Sequence, residues 1–374
     1  MPPEVPLWFI PAALLPSLLI STLAGVAVRC WAPRWGLVDQ PGSRKVHVQE
    51  TPLGGGLAIW LAVLLPLATG QLLLTALHAG ILPAAWLPRL AQLHLEGLQQ
   101  QAGALRFLLG AGTLLMLVGL TDDRRGLNWK LRLLIQVAVA AACVWGQGWR
   151  LTLFLDAPAI TATLSVIWIV GLINSFNMLD NMDGLSAGIA TIVALLLAAV
   201  LLTTPAPGTG IPQLFVAGFL LVLAGSLLGF LWHNRPVAKL FMGDAGSYFV
   251  GFCLAVATLL ATYSGYEGEA RHAVLAPLVV MAVPLYDTVT VIWIRLREGR
   301  SPFQADKNHF SHRLVELGFT KTQAVLTIYL TTLTCGLGAL LLRHVDLFGA
   351  AVILLMVFCI LGLIAILESP RRLR

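Results

Sequence analysis

Charged residues are scarce in this chain, and their scarcity excludes a soluble globular protein. They make up 11% of the 374 residues, whereas soluble domains carry about 25%. Apolar runs of roughly 18–22 residues recur along the chain, and about 20 apolar residues span the hydrocarbon core of a bilayer as a helix. We therefore predict an all-α, polytopic integral membrane protein with a single domain, residues 1–374. A β-barrel would show short alternating segments instead.

Several short motifs are also absent. The five cysteines are scattered, and neither CxxC nor HExxH occurs, so packed thiols are expected in place of a zinc site. No GxxxxGK[ST] loop occurs, which argues against a P-loop that binds ATP.

Eleven helices fit the hydrophobic runs, with loops that alternate between the two sides of the membrane. We predict helices at about 7–28, 54–74, 104–121, 131–147, 160–174, 185–203, 213–232, 246–263, 273–294, 322–342 and 348–367. One set of loops, with the tail, comprises 29–53, 122–130, 175–184, 233–245, 295–321 and 368–374. When charges at helix ends are counted with the nearer loop, this set holds 19 of the 24 Lys and Arg residues. Because Lys and Arg accumulate in cytoplasmic loops, this set is predicted to be cytoplasmic. The net charge of +6 thus reflects topology and requires no nucleic acid partner.

A pair of adjacent acids, Asp122 and Asp123, follows the third predicted helix. One interpretation is a solvated cap with ion pairs to the next two residues, Arg124 and Arg125. The other is a site for Mg²⁺ or a reacting phosphate, because neighbouring carboxylates repel each other and a hard cation relieves that repulsion.

Four polar side chains recur every three residues between two apolar runs: Asn174, Asn177, Asp180 and Asp183. On an α-helix the series would rotate by about 60° per step, and a short 3₁₀ stretch would align it better. The series forms either a polar packing stripe or one wall of an active site. Ionisable groups near membrane depth are costly unless they are paired or functional, which favours the site.

Two further clusters lie in the same set of loops. Asp244, in the motif GDAGS, either caps the following helix or holds a ligand near its free N–H groups. His309 and His312 lie in a basic loop with Lys307 and Arg313, a set that suits phosphate oxygens better than zinc. Carboxylates that hold a divalent metal beside cations that hold phosphate indicate phosphoryl transfer at the cytoplasmic surface.

One acid lies inside a predicted helix. Asp287 is about two helical turns from Arg295. It is either the structural partner of that arginine or part of a lipid site.

Five motifs carry a resemblance to a known family: VDQPGSRKVH (38–47), TDDRRGLNWKLR (121–132), NSFNMLDNMDGL (174–185), FMGDAGS (241–247) and ADKNHFSHRL (305–314). Over roughly residues 5–365 the chain resembles the polyprenyl-phosphate N-acetylhexosamine-1-phosphate transferases. The resemblance implies an enzyme of the bacterial inner membrane with active-site loops that face the cytoplasm. It also implies Mg²⁺, with Mn²⁺ as a substitute, a UDP-N-acetylhexosamine donor and a polyprenyl (undecaprenyl) phosphate acceptor. A homodimer is expected by analogy alone.

The resemblance also implies roles for individual residues. The expected catalytic residues are Asp122, Asp123, Asp180, Asp183, His309 and His312. The expected substrate-binding residues are Lys45, Lys130, Arg132, Asn177, Asn234, Phe241 and Arg313. The expected metal ligands are Asp244 and Asp123.

The chain departs from the family pattern at two positions. Ser311 replaces the middle histidine of a His-x-His-His motif, and Asn181 stands where glycine is usual. The absence of three consecutive histidines favours a small donor, UDP-GlcNAc, over the donor of a phospho-N-acetylmuramoyl-pentapeptide transferase. A secondary transporter is the alternative of a different class, and it would place its polar sites near the membrane midplane.

Overall fold

The computed structural model of the chain describes residues 5, 8–39, 50–83, 95–151, 157–203, 212–263, 271–304 and 306–368. Within these ranges ten helices are long and apolar enough to cross a membrane, and a bent pair of helices provides up to one further crossing. The predicted all-α, polytopic fold is confirmed. The helices are α1 (Phe9–Trp31), α2 (Gly55–His78), α3 (Leu95–Gln100), α4 (Ala102–Arg125), α5 (Trp129–Ala141), α6 (Pro158–Leu179), α7 (Leu185–Thr203), α8 (Leu214–Asn234), α9 (Gly243–Tyr263), α10 (Ala276–Val280), α11 (Ala282–Arg297), α12 (Phe310–Glu316), α13 (Lys321–Leu341) and α14 (Leu347–Glu368).

Helices α7, α8 and α9 form the centre of the bundle. In 18-residue windows of these helices 78%, 72% and 89% of the residues are buried inside the protein, compared with 11% in α14. The sequence of α7, LSAGIATIVALLLAAVLLT, is apolar on every side, which is typical of a helix that other helices surround. The most buried helix, α9, begins with GDAGS, so this motif is held by the core of the protein.

Two glycines allow neighbouring helices to approach the start of α9 closely. A Cβ atom on Gly119 of α4 would lie 2.4 Å from the backbone of Asp244, and one on Gly56 of α2 would lie 2.1 Å from the nitrogen of Gly246. Any side chain at either position would push the helices apart, because real Cβ contacts do not occur at such distances. The glycines therefore bring the end of α4, with its two acids, against the start of α9.

The only strands among the described residues are two short ones beside this contact. Strand β1 (Val38–Asp39) pairs antiparallel with β2 (Thr51–Pro52). The chain after β2 continues this pairing: the Pro52 oxygen accepts the Phe241 N–H at 2.9 Å, and the Phe241 oxygen accepts the Gly55 N–H at 2.8 Å. The motif PLGGG thus fixes the backbone that leads into α9.

The ninth predicted crossing differs from the expected continuous helix over 273–294. The segments His272–Val280 and Ala282–Arg297 meet at Met281 with a bend of 65°. Pro284 explains the break, because proline has no N–H for the carbonyl of Val280 four residues earlier and its ring clashes with that carbonyl. In the first turn of α11 the same proline costs little.

Candidate active site

The two acids at the end of α4 have different partners. Asp122 is buried, and its carboxylate accepts hydrogen bonds from the Leu127 N–H at 2.6 Å, from Arg132 Nη1 at 2.5 Å and from the Tyr248 hydroxyl at 3.1 Å. These donors come from the following loop, from α5 and from α9. Asp122 therefore joins three elements, and its own oxygens are occupied by protein donors.

Asp123 caps the N-terminus of α9 from another helix. Its Oδ1 atom accepts the Asp244 N–H at 2.8 Å, and its Oδ2 atom accepts the Ala245 N–H at 3.1 Å. Free N–H groups at a helix start favour a carboxylate in this position. Because the carboxylate of Asp123 caps α9, the side chain of Asp244 is not needed as the cap.

The carboxylate of Asp244 lies among polar groups from two other helices. Its Oδ1 atom accepts Asn177 Nδ2 at 2.6 Å, and its Oδ2 atom lies 3.5 Å from Arg132 Nη1. Asn177 also donates to the Ser247 hydroxyl at 3.0 Å. Asp122, Asp123, Asp244, Asn177 and Arg132, all expected from the sequence, thus meet at one end of the bundle.

The Asn and Asp series does not share one face. Asn174 donates to Gln136 Oε1 at 2.7 Å and packs α6 against α5, away from Asp244. The α-helix continues through Asn177 and ends at Leu179, so the first half of the series follows the α-helical alternative and its members rotate relative to one another. Asp183 accepts the Ala238 N–H at 3.0 Å and holds the loop before α9. Within the series, Asn174 therefore packs two helices together, whereas Asn177 contacts Asp244 in the candidate site.

Asp180 lies in the sequence between Asn177, which contacts Asp244, and Asp183, which contacts the loop before α9. Burial raises the pKa of its carboxyl to about 7, the charges of Asp123 and Asp183 act in the same direction, and the Gly243 N–H opposes them. A carboxyl in such surroundings favours either a proton or a nearby cation. Because Gly243 directly precedes Asp244, Asp180 and Asp244 flank the same turn.

Asn234 is buried, and both ends of its amide are bonded to backbone. Its Oδ1 atom accepts the Gly184 N–H at 2.9 Å, and its Nδ2 atom donates to the Leu240 oxygen at 2.9 Å. The residue braces the turn after α6 against the loop before α9. Its expected contact with substrate stays a prediction.

A buried acid in α11 orients His309. The Oδ2 atom of Asp287 lies 2.9 Å from His309 Nδ1, and its Oδ1 atom accepts the Phe310 N–H at 2.6 Å. Because a carboxylate accepts hydrogen bonds, Nδ1 carries the proton and Nε2 is left for other partners. Arg295 binds Asp306 instead, at 3.1 Å and 3.2 Å, so of the two alternatives for Asp287 the pair with Arg295 is wrong and the lipid site stays a prediction. The available signal was an acid inside a membrane helix, which by default indicates function.

His312 is half-buried in the first turn of α12, with its ring centre 6.4 Å from that of His309. Burial lowers the pKa of His312 to about 4, and positive charge on His309 and Lys307 acts in the same direction. The imidazole of His312 is therefore neutral at pH 7 and offers a hydrogen bond without adding charge.

We expect acid to destabilise the protein through His312. Its folded pKa of about 4 lies below the ordinary value of 6.5, so between these pH values the unfolded chain binds a proton that the folded chain does not. Stability should fall as the pH drops through this window, and His312→Gln should remove that part of the loss. Melting temperatures between pH 4 and pH 8 would test this, with exposed His78→Gln as control. An identical pH dependence in wild type and His312→Gln would contradict it.

Arg313 is buried and fully engaged. Its Nε atom donates to Glu368 Oε2 at 2.8 Å, its Nη2 atom donates to the Thr290 hydroxyl at 3.2 Å, and its Nη1 atom donates to the Asn308 oxygen. The Tyr286 hydroxyl also donates to Glu368 Oε2, at 3.1 Å. Arg313 was expected to bind substrate, but these contacts make it the link between α12 and the last residue of α14.

Removal of either partner of the Arg313–Glu368 pair should destabilise the protein. Each side chain is 6% exposed, and a buried charge left without its partner typically costs about 3–5 kcal/mol. We expect Arg313→Ala and Glu368→Ala to lower the melting temperature similarly, and the double variant to be no worse than either. Glu298→Ala, which removes a half-exposed acid of the neighbouring loop, is the control. Additive losses in the double variant would argue against a direct pair.

The remaining expected substrate residues are less enclosed. Lys130 is exposed, with its ammonium 5.7 Å from the centre of the Trp129 ring. Phe241 is half-buried in the segment that pairs with PLGGG. Lys45 lies outside the described residues.

The described residues contain no group of three or more His, Cys, Asp or Glu side chains arranged to hold a metal ion. Mg²⁺ usually keeps several waters and binds one or two carboxylates together with substrate phosphates. Asp244, and Asp180 beside the Gly243 N–H, are carboxylates of the kind that such a site uses. Asp123, the other expected metal ligand, accepts two backbone N–H groups of α9 with its carboxylate, and its role as a ligand stays a prediction.

These contacts define a polytopic membrane protein whose acids, amides and histidines meet at one end of its helix bundle. The chain belongs to glycosyl transferase family 4. The profile of that family matches residues 105–262. A relative from Bacillus subtilis is 30% identical over 363 residues, which cover 94% of this chain and 90% of the relative.

The relatives carry related names. The Bacillus subtilis protein is a probable undecaprenyl-phosphate N-acetylglucosaminyl 1-phosphate transferase. A decaprenyl-phosphate N-acetylglucosaminephosphotransferase from Mycolicibacterium smegmatis is 35% identical over 336 residues, 84% of this chain and 78% of its own. An undecaprenyl-phosphate alpha-N-acetylglucosaminyl 1-phosphate transferase from Escherichia coli is 28% identical over 333 residues, 85% and 79% of the two chains. The family expected from the motifs is confirmed, and the transporter alternative is not favoured.

Proposed function

We propose that the chain transfers N-acetylglucosamine 1-phosphate from UDP-GlcNAc to a polyprenyl phosphate. The products are a lipid diphosphate sugar and UMP. The observation that carries the proposal is the capped start of α9, where Asp123 holds the backbone and Asp244 lies beside Asn177 and Arg132. The names of the relatives support both the sugar and the lipid.

The reaction exchanges one phosphoanhydride for another. An oxygen of the lipid phosphate forms a bond to the phosphorus that carries the sugar, and the bond from that phosphorus to the oxygen bridging it to UMP breaks. The electron pair leaves with UMP. A phosphate monoester has a second pKa near 6, so at neutral pH the attacking oxygen is already largely deprotonated. Asp122 and Asp123 therefore act by positioning, and no general base is required.

The proposal includes a divalent cation, Mg²⁺ with Mn²⁺ as a substitute, held by Asp244 and Asp180. Bound there, the ion would neutralise charge on the diphosphate and on the departing UMP. Asp123 contributes through the backbone of α9. Both substrates are anionic, and Lys130 and His309 offer positive charge or hydrogen bonds to bring them together.

The proposed location is the bacterial inner membrane, with the acidic cluster at the cytoplasmic face. The bias of Lys and Arg toward one set of loops supports this orientation. Reporter fusions after Gly318, between α12 and α13, and after Asp346, before α14, would test it. A cytoplasmic signal is expected at Gly318 and a periplasmic one at Asp346, and the reverse result would refute the orientation.

Release of UMP tests the function directly. The purified chain in detergent, given UDP-GlcNAc, undecaprenyl phosphate and Mg²⁺, should release UMP and form a lipid-linked sugar, and EDTA should stop both. The same assay with UDP-GalNAc and UDP-N-acetylmuramoyl-pentapeptide identifies the donor. Turnover of the pentapeptide donor alone would replace the proposed substrate. Failure with every UDP-sugar would refute the proposed function.

A further inference from the structure

Two residues singled out in the sequence, Ser311 and Asn181, contact each other. Ser311 Oγ donates a hydrogen bond to Asn181 Oδ1 at 2.6 Å, across 130 residues of sequence. Asn181 lies in the turn after α6, between Asp180 and Asp183, and Ser311 lies in α12, between His309 and His312. The contact therefore joins two segments. The first is the turn at residues 180–184, called the acidic turn below, and the second is α12 with its N-cap His309, called the histidine helix.

The orientation of the Asn181 amide is fixed by a second bond. Its Nδ2 atom donates to the Met178 oxygen in the last turn of α6 at 2.7 Å, which leaves Oδ1 to accept the Ser311 hydroxyl. A glycine at position 181 makes neither bond. Ser311 is 1% exposed, so a larger side chain has no free space there.

The histidine helix is held at two points at its start. Asp287 binds His309 and the Phe310 N–H, and Asn181 binds Ser311. Three consecutive residues are thus bonded to α11 on one side and to the acidic turn on the other. The first point fixes the ring of His309, and the second fixes the distance between the histidines and Asp180.

We propose that Asn181 and Ser311 are a matched pair of positioning residues that sets the histidine helix against the acidic turn. The role rests on the proposed function, because it concerns the geometry of that active site. Neither residue is required to touch substrate. Each is suited to the other, so Asn181→Gly alone removes the contact and Ser311→His alone overfills the space.

A double-variant cycle tests the hydrogen bond. We expect Ser311→Ala and Asn181→Ala each to lower kcat for UMP release about fivefold to tenfold, with KM for UDP-GlcNAc within about twofold of wild type. Asn181→Ala/Ser311→Ala should be no slower than the slower single variant, because the bond between the two side chains is already absent in each single variant. The control is Ser226→Ala, a buried serine bonded only to its own helix, which should retain full kcat. Independent, multiplicative losses would overturn the pairing.

Substitutions at positions 181 and 311 test whether the two side chains occupy one limited space. Ser311→His should reduce kcat about 100-fold, since its ring must displace the Asn181 amide, and Asn181→Gly/Ser311→His should recover to within about threefold of Asn181→Gly alone. No recovery in the double variant, or no loss in Ser311→His, would overturn the proposal.

Hydrogen–deuterium exchange supplies a readout that does not depend on activity. Uptake in residues 180–184 and 309–316 should rise in Ser311→Ala, rise at least as much in Asn181→Ala, which also loses the bond to Met178, and rise no further in the double variant than in Asn181→Ala. Ser226→Ala should leave both segments unchanged. Unchanged uptake in the single variants would refute the contact even if the chain proved inactive toward every UDP-sugar, and that second result would refute the proposed function alone.

Discussion

Asp244→Ala is expected to abolish the exchange of labelled UMP into UDP-GlcNAc, with a loss on the order of 1,000-fold. The carboxylate of Asp244 is the acid at the start of α9 that is not used as a helix cap. Under the proposed function, its removal would take away a protein ligand of the diphosphate-bound cation. Exchange measures the reversal of transfer, so it reports on chemistry separately from the synthesis of further lipid-linked product.

The variant should still fold, which makes the result interpretable. Asp123 bonds to the backbone N–H groups of Asp244 and Ala245, and alanine at position 244 retains both groups. By contrast, Asp123→Ala should lose the cap itself and about 1–2 kcal/mol of stability. Asp346→Ala, at an exposed helix start far along the chain, is the matched control and should keep exchange within about twofold. Retained exchange in Asp244→Ala with Mg²⁺ present would remove this residue from the mechanism.

Asp287→Asn is expected to reduce kcat on the order of 100-fold, the usual size of a hydrogen-bonding or acid–base contribution. The carboxylate accepts two donors, His309 Nδ1–H and the Phe310 N–H, whereas an amide has one oxygen and presents an N–H to the other donor. The imidazole then loses its preferred tautomer and orientation. Turnover over a range of pH, measured for the variant and for wild type, would show the change.

The effect of Asp287 should pass through His309. The double variant Asp287→Asn/His309→Ala is expected to be no slower than His309→Ala alone, because residues that act as a unit are not additive. Thr288→Val is the control, since the Thr288 hydroxyl bonds only to the Pro284 oxygen of its own helix. A double variant much slower than His309→Ala would mean that Asp287 acts elsewhere.

The number and order of the membrane helices followed from the sequence because each helix is one long apolar run with polar ends. The bend at Met281 did not follow, since a proline in the first turn of one helix and a proline inside a longer helix look alike in sequence. Its position depends on the packing of α10 and α11 against their neighbours.

The residue types of the site were also recognisable, but their partners were not. Asp123 and the backbone it caps are 121 residues apart, and no local pattern links them. The sequence shows Asp287 as an acid within a helix. Its hydrogen bond to His309, in place of an ion pair with Arg295, depends on the path of the loop after α11. Asn174 belongs to the same three-residue series as Asn177 but faces Gln136, because a step of three residues falls about 60° short of a full helical turn.

The ion pair between Arg313 and Glu368 connects the histidines of the site to a helix that is mostly exposed on the surface of the bundle, whereas the carboxylate of Asp244 belongs to a buried helix. Glu368 ends α14, the helix with 11% of its window buried, whereas Asp244 begins α9, with 89% buried. A bilayer thicker or thinner than the apolar length of a helix is accommodated first by tilt of the helices that face lipid. Tilt of α14 pulls on Arg313, the residue after His312, while α9 is shielded by its neighbours. We therefore expect hydrophobic mismatch to displace the histidines before it displaces the carboxylates, so lipid chain length should alter the position of His312 more than that of Asp244.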